Sequence, residues 1–135
     1  MNKTVLVTGA SRGIGCAIAE NFACAGFSLV ITCSHSRDAL FALKERLEAT
    51  CHTRVMAEIC DMGDFAAVSE LFARIEEQTG GIDILVNNAG ISHIGLLQDM
   101  TINEWNRIVA TNLTSVFATS KLAIPHMLGC GAGKI

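Results

Sequence analysis

The chain is expected to fold as an α/β protein, a doubly wound parallel sheet held between helices in a three-layer α/β/α arrangement. Short apolar runs rich in Val, Ile and Thr alternate with longer segments of helical period, and Gly, Asn or Asp stands at most junctions. The resulting order, β-α-β-α-β-α-β-α-(β), leaves few topologies once right-handed crossovers are required. Everything fits one domain, residues 1–135, half hydrophobic and 17% charged with a single Pro. That profile excludes disordered and fibrous classes.

Thr4-Val5-Leu6-Val7-Thr8 reads as a buried strand that stops at Gly9. Past a glycine-rich turn, Ile14, Ala17, Ile18, Phe22 and Ala25 recur at helical spacing, and Gly26 ends that helix as its C′ residue. Phe27 to Cys33 is the second strand. Leu40, Leu43 and Leu47 mark the second helix, with Lys44 and Glu48 paired at i,i+4 on its outer face. Arg54 to Ile59 forms the third strand, closing at Asp61. Gly63-Asp64 opens a third helix whose Val68, Leu71, Phe72 and Ile75 form one stripe, and Gly80-Gly81 ends it. Ile82 to Val86 is the fourth strand, with Asn87-Asn88-Ala89-Gly90 as a tight turn behind it. Thr101 and Glu104 make a capping box for one long helix, which carries Trp105, Ile108, Val109, Leu113, Val116 and Phe117 and fades near Gly129. Gly133-Lys134-Ile135 opens a fifth strand, so the sheet is expected to be incomplete at its C-terminal side.

Several function classes are excluded by composition. The net charge of −3, with Lys and Arg scattered, offers no basic patch for nucleic acid. No apolar run approaches the roughly 20 residues that span a bilayer. Met1 to Val5 runs straight into a strand without a leader's apolar region, so a cytoplasmic location is expected. The six cysteines contain no C-x-x-C pair and the four histidines no ligand spacing. No metal site is expected, and the cysteines read as small buried hydrophobes rather than disulfide partners.

Thr8-Gly9-Ala10-Ser11-Arg12-Gly13-Ile14-Gly15 joins the first strand to the first helix, where a phosphate-binding turn belongs. Phosphates approach a backbone only where side chains are absent, and a helix N-terminus then offers free N–H groups with partial positive charge. Gly9 permits the sharp exit from the strand, Gly13 lets the phosphates come near, and Gly15 lets helix pack close to sheet. The fold is therefore Rossmann-like, although the spacing is G-x₃-G-x-G and not G-x-G-x-x-G.

These residues resemble the short-chain dehydrogenases/reductases. The T-G-x₃-G-x-G turn resembles that family's variant position for position, and Asn87-Asn88-Ala89-Gly90 is similar to its second signature. Asp61 resembles the acid that members place against the adenine, with Met62 beside it. Asn112, in Thr111-Asn112-Leu113, resembles the Asn of the catalytic tetrad, whose role is to hold a water in a proton relay. The stretch from Glu104 to Phe117 is similar to the 3-oxoacyl-(acyl-carrier-protein) reductase branch. Taken singly, each motif also has a plain reading: a good turn for Asn87–Gly90, a strand-end cap for Asp61, a solvent-facing helical residue for Asn112. The resemblance implies a cofactor set of Gly9, Ser11, Arg12, Gly13, Ile14, Gly15, Ser34, Asp61, Met62, Asn88, Ala89 and Gly90, with Asn112 as the catalytic-tetrad residue.

The second strand ends at Thr32-Cys33-Ser34-His35-Ser36-Arg37, without the acid that an NAD-binding protein places against the ribose 2′-hydroxyl. Ser34 and Ser36 leave room for a 2′-phosphate, and Arg12 and Arg37 can bond it, unless Arg37 belongs to the solvated face of the second helix. NADP (NADPH) is the expected cofactor. The family reaction is hydride transfer between nicotinamide and a carbonyl, with a Tyr, a Lys four residues on and a Ser as its acid machinery. The sequence contains no Tyr. Two readings stay open: the N-terminal part of an NADPH-dependent reductase of a small carbonyl or acyl-thioester substrate, homodimeric or homotetrameric at full length, with its catalytic half beyond Ile135; or a non-catalytic nucleotide-binding module or truncated, inactive relative. His93 and the loop Ile91 to Asp99 either line the site or form a surface loop. An unfinished sheet edge predicts that residues 1–135 alone are poorly soluble or oligomeric.

Overall fold

A computed structural model describes residues 3–135; Met1 and Asn2, where the sequence is read as lacking a leader, lie outside it. Four parallel strands, β1 (Thr4–Val7), β2 (Ser28–Cys33), β3 (Val55–Ile59) and β4 (Ile84–Val86), stand in the order β3-β2-β1-β4. The register pairs Val5 with Leu29 and with Ile84, and Leu29 with Val55. Lys134 adds a parallel bridge to Ile84: its N–H donates to the Asp83 carbonyl and its carbonyl accepts from Leu85. The fifth strand expected at Gly133–Ile135 therefore begins where the reading places it, outside β4.

β1 is buried on both sides, which is why it reads as an almost continuous apolar run, while β3 and β4 are buried only in part. Alternate residues face opposite layers. Val5, Val7, Leu29, Ile31 and Val55 pack with Ala19, Ala23, Leu40, Leu43 and Leu47, from α1 (Gly13–Cys24) and α2 (Arg37–Cys51). Leu6, Val30, Met56 and Leu85 pack with Val68, Leu71, Phe72 and Ile75 of α3 (Phe65–Thr79), and with Ala118, Ala123 and Met127 of α5 (Ser115–Gly129). Helix ends follow local chemistry. Asp64 caps α3 by accepting from the Ala66 and Ala67 N–H groups. Gly26 and Gly80 supply the left-handed φ, +85° and +80°, that closes α1 and α3.

Five expectations need correction. The deep face of α1 is Gly15, Ala19 and Ala23, while Ala17 and Ala25 are exposed and Ile14 is 75% exposed. Small residues, not the larger apolar ones, allow this helix to lie close against the sheet. Residues 87–90 make no tight turn; the segment stays open and is tied back to the end of β1. The single long helix is divided: α4 (Ile102–Val109) starts at the expected Thr101–Glu104 capping box, a π-helical turn spans Ala110–Thr114, and α5 follows. Lys44 is half-buried and, besides pairing with Glu48, donates to the Val55 carbonyl at 2.7 Å, so this pair ties α2 to β3 instead of decorating an outer face. Of the cysteines only Cys33 and Cys60 are buried.

Candidate functional site

In an open α/β sheet, ligands bind past the carboxyl ends of the strands where neighbouring crossovers diverge. Here that point lies between β1, whose chain leaves toward β2, and β4 on its other side. A cavity of about 650 Å³ opens there. Its lining comes from every loop at that end: 9–14 after β1, 33–36 after β2, 60–62 after β3 and 88–91 after β4, with Arg107 and Thr111 closing the far side.

The floor is the glycine turn. Gly9 has φ +68°, and a Cβ there would stand 2.9 Å from the Ala89 Cα, so the two loops touch through its bare backbone. A Cβ on Gly15 would meet the Gly9 carbonyl oxygen at 2.4 Å. Gly15 is thus buried beneath the turn and does not line the cavity. Gly13 is the opposite case. Its φ is +58° and nothing lies within 4 Å of where a Cβ would be, so the open space above it is the approach to the backbone. Arg12 is the N-cap of α1 with extended backbone and no side-chain cap, and no acid stands in the first turn. The first N–H groups of α1 are left for an anion, which fits a diphosphate.

Thr8 and Asn88 fasten the two central loops together. The Thr8 hydroxyl oxygen accepts from the Asn88 and Ala89 N–H groups, both at 3.0 Å. The Asn88 side-chain amide donates to the Thr8 and Gly9 carbonyls, also at 3.0 Å. Asn88 thus lines the cavity while its amide protons are committed to the scaffold. Asn112, on the π-turn, grips the next residue along: Nδ2 donates to the Ile91 carbonyl and Oδ1 accepts from the Ile91 N–H, each at 2.8 Å. It is one residue removed from the cavity wall and neither faces solvent idly nor bonds back along its own helix.

At the other end, Ser34 and Ser36 line the cavity, and Ser34 Oγ lies 2.8 Å from His35 Nδ1. No acidic residue stands among 33–36. Arg12 lines the cavity, whereas Arg37 lies over the Phe41 ring, 4.6 Å from its centroid, on its own helix. Asp61 both lines the cavity and accepts from the Gly63 N–H at 2.9 Å, so cap and wall coincide. The neighbouring Cys60 thiol is pushed up to about 11 by burial. Ser11, Ile14, Met62, Ala89 and Gly90 are lining residues as well.

The cavity therefore gathers every expected cofactor residue except Gly15, which sits under it. His93 is not a wall residue; its Nδ1 is 3.8 Å from Glu104, and of its loop only Ile91 reaches the cavity. Arg107 and Thr111 are further wall residues that no motif marks. Their i,i+4 spacing, one residue short of Asn112, was the available signal. Among the described residues no His, Cys, Asp or Glu cluster could hold a metal, and no helix is long and apolar enough to cross a membrane.

A family model described as short chain dehydrogenase matches residues 3–135. The chain is 35% identical to D-beta-hydroxybutyrate dehydrogenase of Rhizobium meliloti, over all of this chain and 52% of that protein. It is 40% identical to 3-oxoacyl-(acyl-carrier-protein) reductase of Escherichia coli, over 98% of this chain and 52% of that one. In structure it is similar to L-sorbose reductase from Gluconobacter frateurii complexed with NADPH and L-sorbose, with a TM-score of 0.93 at 28% identity over 98% of this chain and 50% of that chain. The chain spans about half the length of the curated relatives it matches.

Proposed function

The chain belongs to the short-chain dehydrogenase family, and from that premise we propose that it holds NADPH in this cavity and forms the cofactor-binding part of a carbonyl reductase. The observation that carries the reading is the uncapped N-terminus of α1 beside Arg12 and Ser34, with no carboxylate after β2. A neutral rim with one guanidinium suits a 2′-phosphate, and an acid at this position would repel it. The solved relative complexed with NADPH supports the same choice.

When bound, the nicotinamide supplies a hydride to the carbonyl carbon of a ketone of the 3-oxoacyl or a related type, leaving a secondary alcohol. The residues of this chain bind and orient. The backbone around Gly13 receives the diphosphate, Arg12 and Ser34 the 2′-phosphate, and Asp61 with Met62 the adenine side. Asn112 is a positioning residue that holds the Ile91 backbone, and its second Nδ2 proton is free to hold a water on a proton path. The Tyr, Lys and Ser implied as the acid machinery are assigned to a segment outside this sequence, which has no Tyr. A second reading is a nucleotide-binding module without turnover.

Fluorescence titration tests the cofactor assignment. NADPH is expected to bind at least about tenfold tighter than NADH, and Arg12→Ala to weaken NADPH by about 10- to 100-fold with little effect on NADH. Tighter NADH binding overturns the NADP assignment. NADPH binding without ketone reduction by the natural gene product selects the second reading.

A further inference from the structure

Helices α1 and α2 lie side by side on one face of the sheet, and each ends in a cysteine, Cys24 and Cys51. Cys24 is exposed and Cys51 half-buried, and their sulfurs are 2.9 Å apart. That is only about 1 Å longer than a disulfide bond. The surroundings are asymmetric. The Thr50 hydroxyl lies 3.6 Å from the Cys51 sulfur, while Arg46, earlier on α2, is paired with Glu20 of α1. The hydrogen bond between the sulfurs pushes the Cys24 thiol up and draws Cys51 down, so Cys51 is the sulfur of the pair that ionises more readily. The other four thiols lack such a partner among the described residues: Cys33 and Cys60 are buried, Cys16 bonds Glu20, and Cys130 lies beside His126.

We propose that Cys24 and Cys51 are a redox modification site, at which a peroxide joins the two thiols in a disulfide that staples the C-terminal ends of α1 and α2. The Cys51 thiolate attacks one peroxide oxygen; the O–O bond breaks, and the departing hydroxide takes a proton to become water. Cys24 then gives up its proton, and its sulfur attacks the Cys51 sulfenic sulfur, releasing the second water. The two sulfurs lose two electrons together and the peroxide gains two. A dithiol reverses the bond by exchange. The staple closes a loop that contains β2 and α2. It lies at the helix ends opposite the glycine turn, so the cavity stays open.

The full chain is treated with hydrogen peroxide, its remaining thiols are alkylated, and it is digested without reduction for mass spectrometry. The expected product is one crosslinked peptide pair holding Cys24 and Cys51, with the other four cysteines alkylated. Its Tm is expected to rise by roughly 5 °C or more. Dithiothreitol should reverse both effects, and Cys24→Ser or Cys51→Ser should abolish both. Recovery of both cysteines alkylated, or of crosslinks between molecules instead, overturns the proposal. None of these readouts involves the cofactor.

Discussion

Gly13 and Gly15 stand two residues apart and do different work. Gly15 is a packing requirement, since its Cβ would strike the Gly9 carbonyl and the Asn88 amide at 2.4 and 2.5 Å. Gly15→Ala is expected to cost about 2 kcal/mol or more in stability, by parting the two loops that Asn88 holds together. Gly13 is proposed as a binding requirement. Its left-handed φ makes Gly13→Ala cost about 1 kcal/mol of stability, and the new methyl would occupy the space left open above the turn. Thermal melts beside NADPH titrations separate the two: Gly15→Ala should lower Tm more, and Gly13→Ala should lower affinity more. Equal losses of both kinds in the two variants would refute the division.

The helix from Thr101 to Gly129 is better understood as three elements. The π-turn at Ala110–Thr114 inserts extra backbone and so turns Asn112 toward Ile91. A Thr–Glu capping box starts the first element: Thr101 N–H donates to Glu104 Oε2 at 2.7 Å. That bond holds the Glu104 carboxyl below its ordinary value of 4.5. A depressed folded value means the stabilisation is present above the ordinary glutamate value and lost as pH falls through the folded one. Tm is therefore expected to fall as the pH drops below the ordinary glutamate value of 4.5, partly through this cap. Glu104→Gln, which keeps an acceptor without the charge, should flatten that part of the profile. An unchanged slope in the variant would show that the cap does not titrate with stability.

On the scale of the fold, α5 covers one sheet face with Ala118, Ala123 and Met127 and carries on its other side an apolar group interrupted by Ser120 and Lys121. Leu113 and Phe117 are 67% and 62% exposed, and with Val116 and Ile124 they border a depression of about 720 Å³. An exposed apolar surface of this kind drives association. Sedimentation velocity is expected to show self-association of the chain, weakened at least about tenfold by Leu113→Ser with Phe117→Ser at little cost in Tm, because neither side chain is in the core. A monodisperse monomer at all concentrations would refute this.

Legible in the sequence alone are the alternation of strands and helices up to β4, the helix ends at Gly26, Asp64, Gly80 and Thr101, and the glycine turn Thr8–Gly15 between β1 and α1. These depend on local chemistry: strand-length apolar runs, caps, and glycines at a strand-to-helix junction. The open form of residues 87–90 and the deep face of α1 are not legible in the sequence, because they are set by partners 80 residues away and by how closely a helix approaches the sheet. The same holds for Arg12 entering the cavity while Arg37 folds back over Phe41, and for Arg107 and Thr111 reaching its far wall from α4 and the π-turn. Cys24 and Cys51 share no motif and stand 27 residues apart. Only the packing of α1 beside α2 brings their sulfurs into contact, because the distance between two helix ends follows from the sheet that both cover.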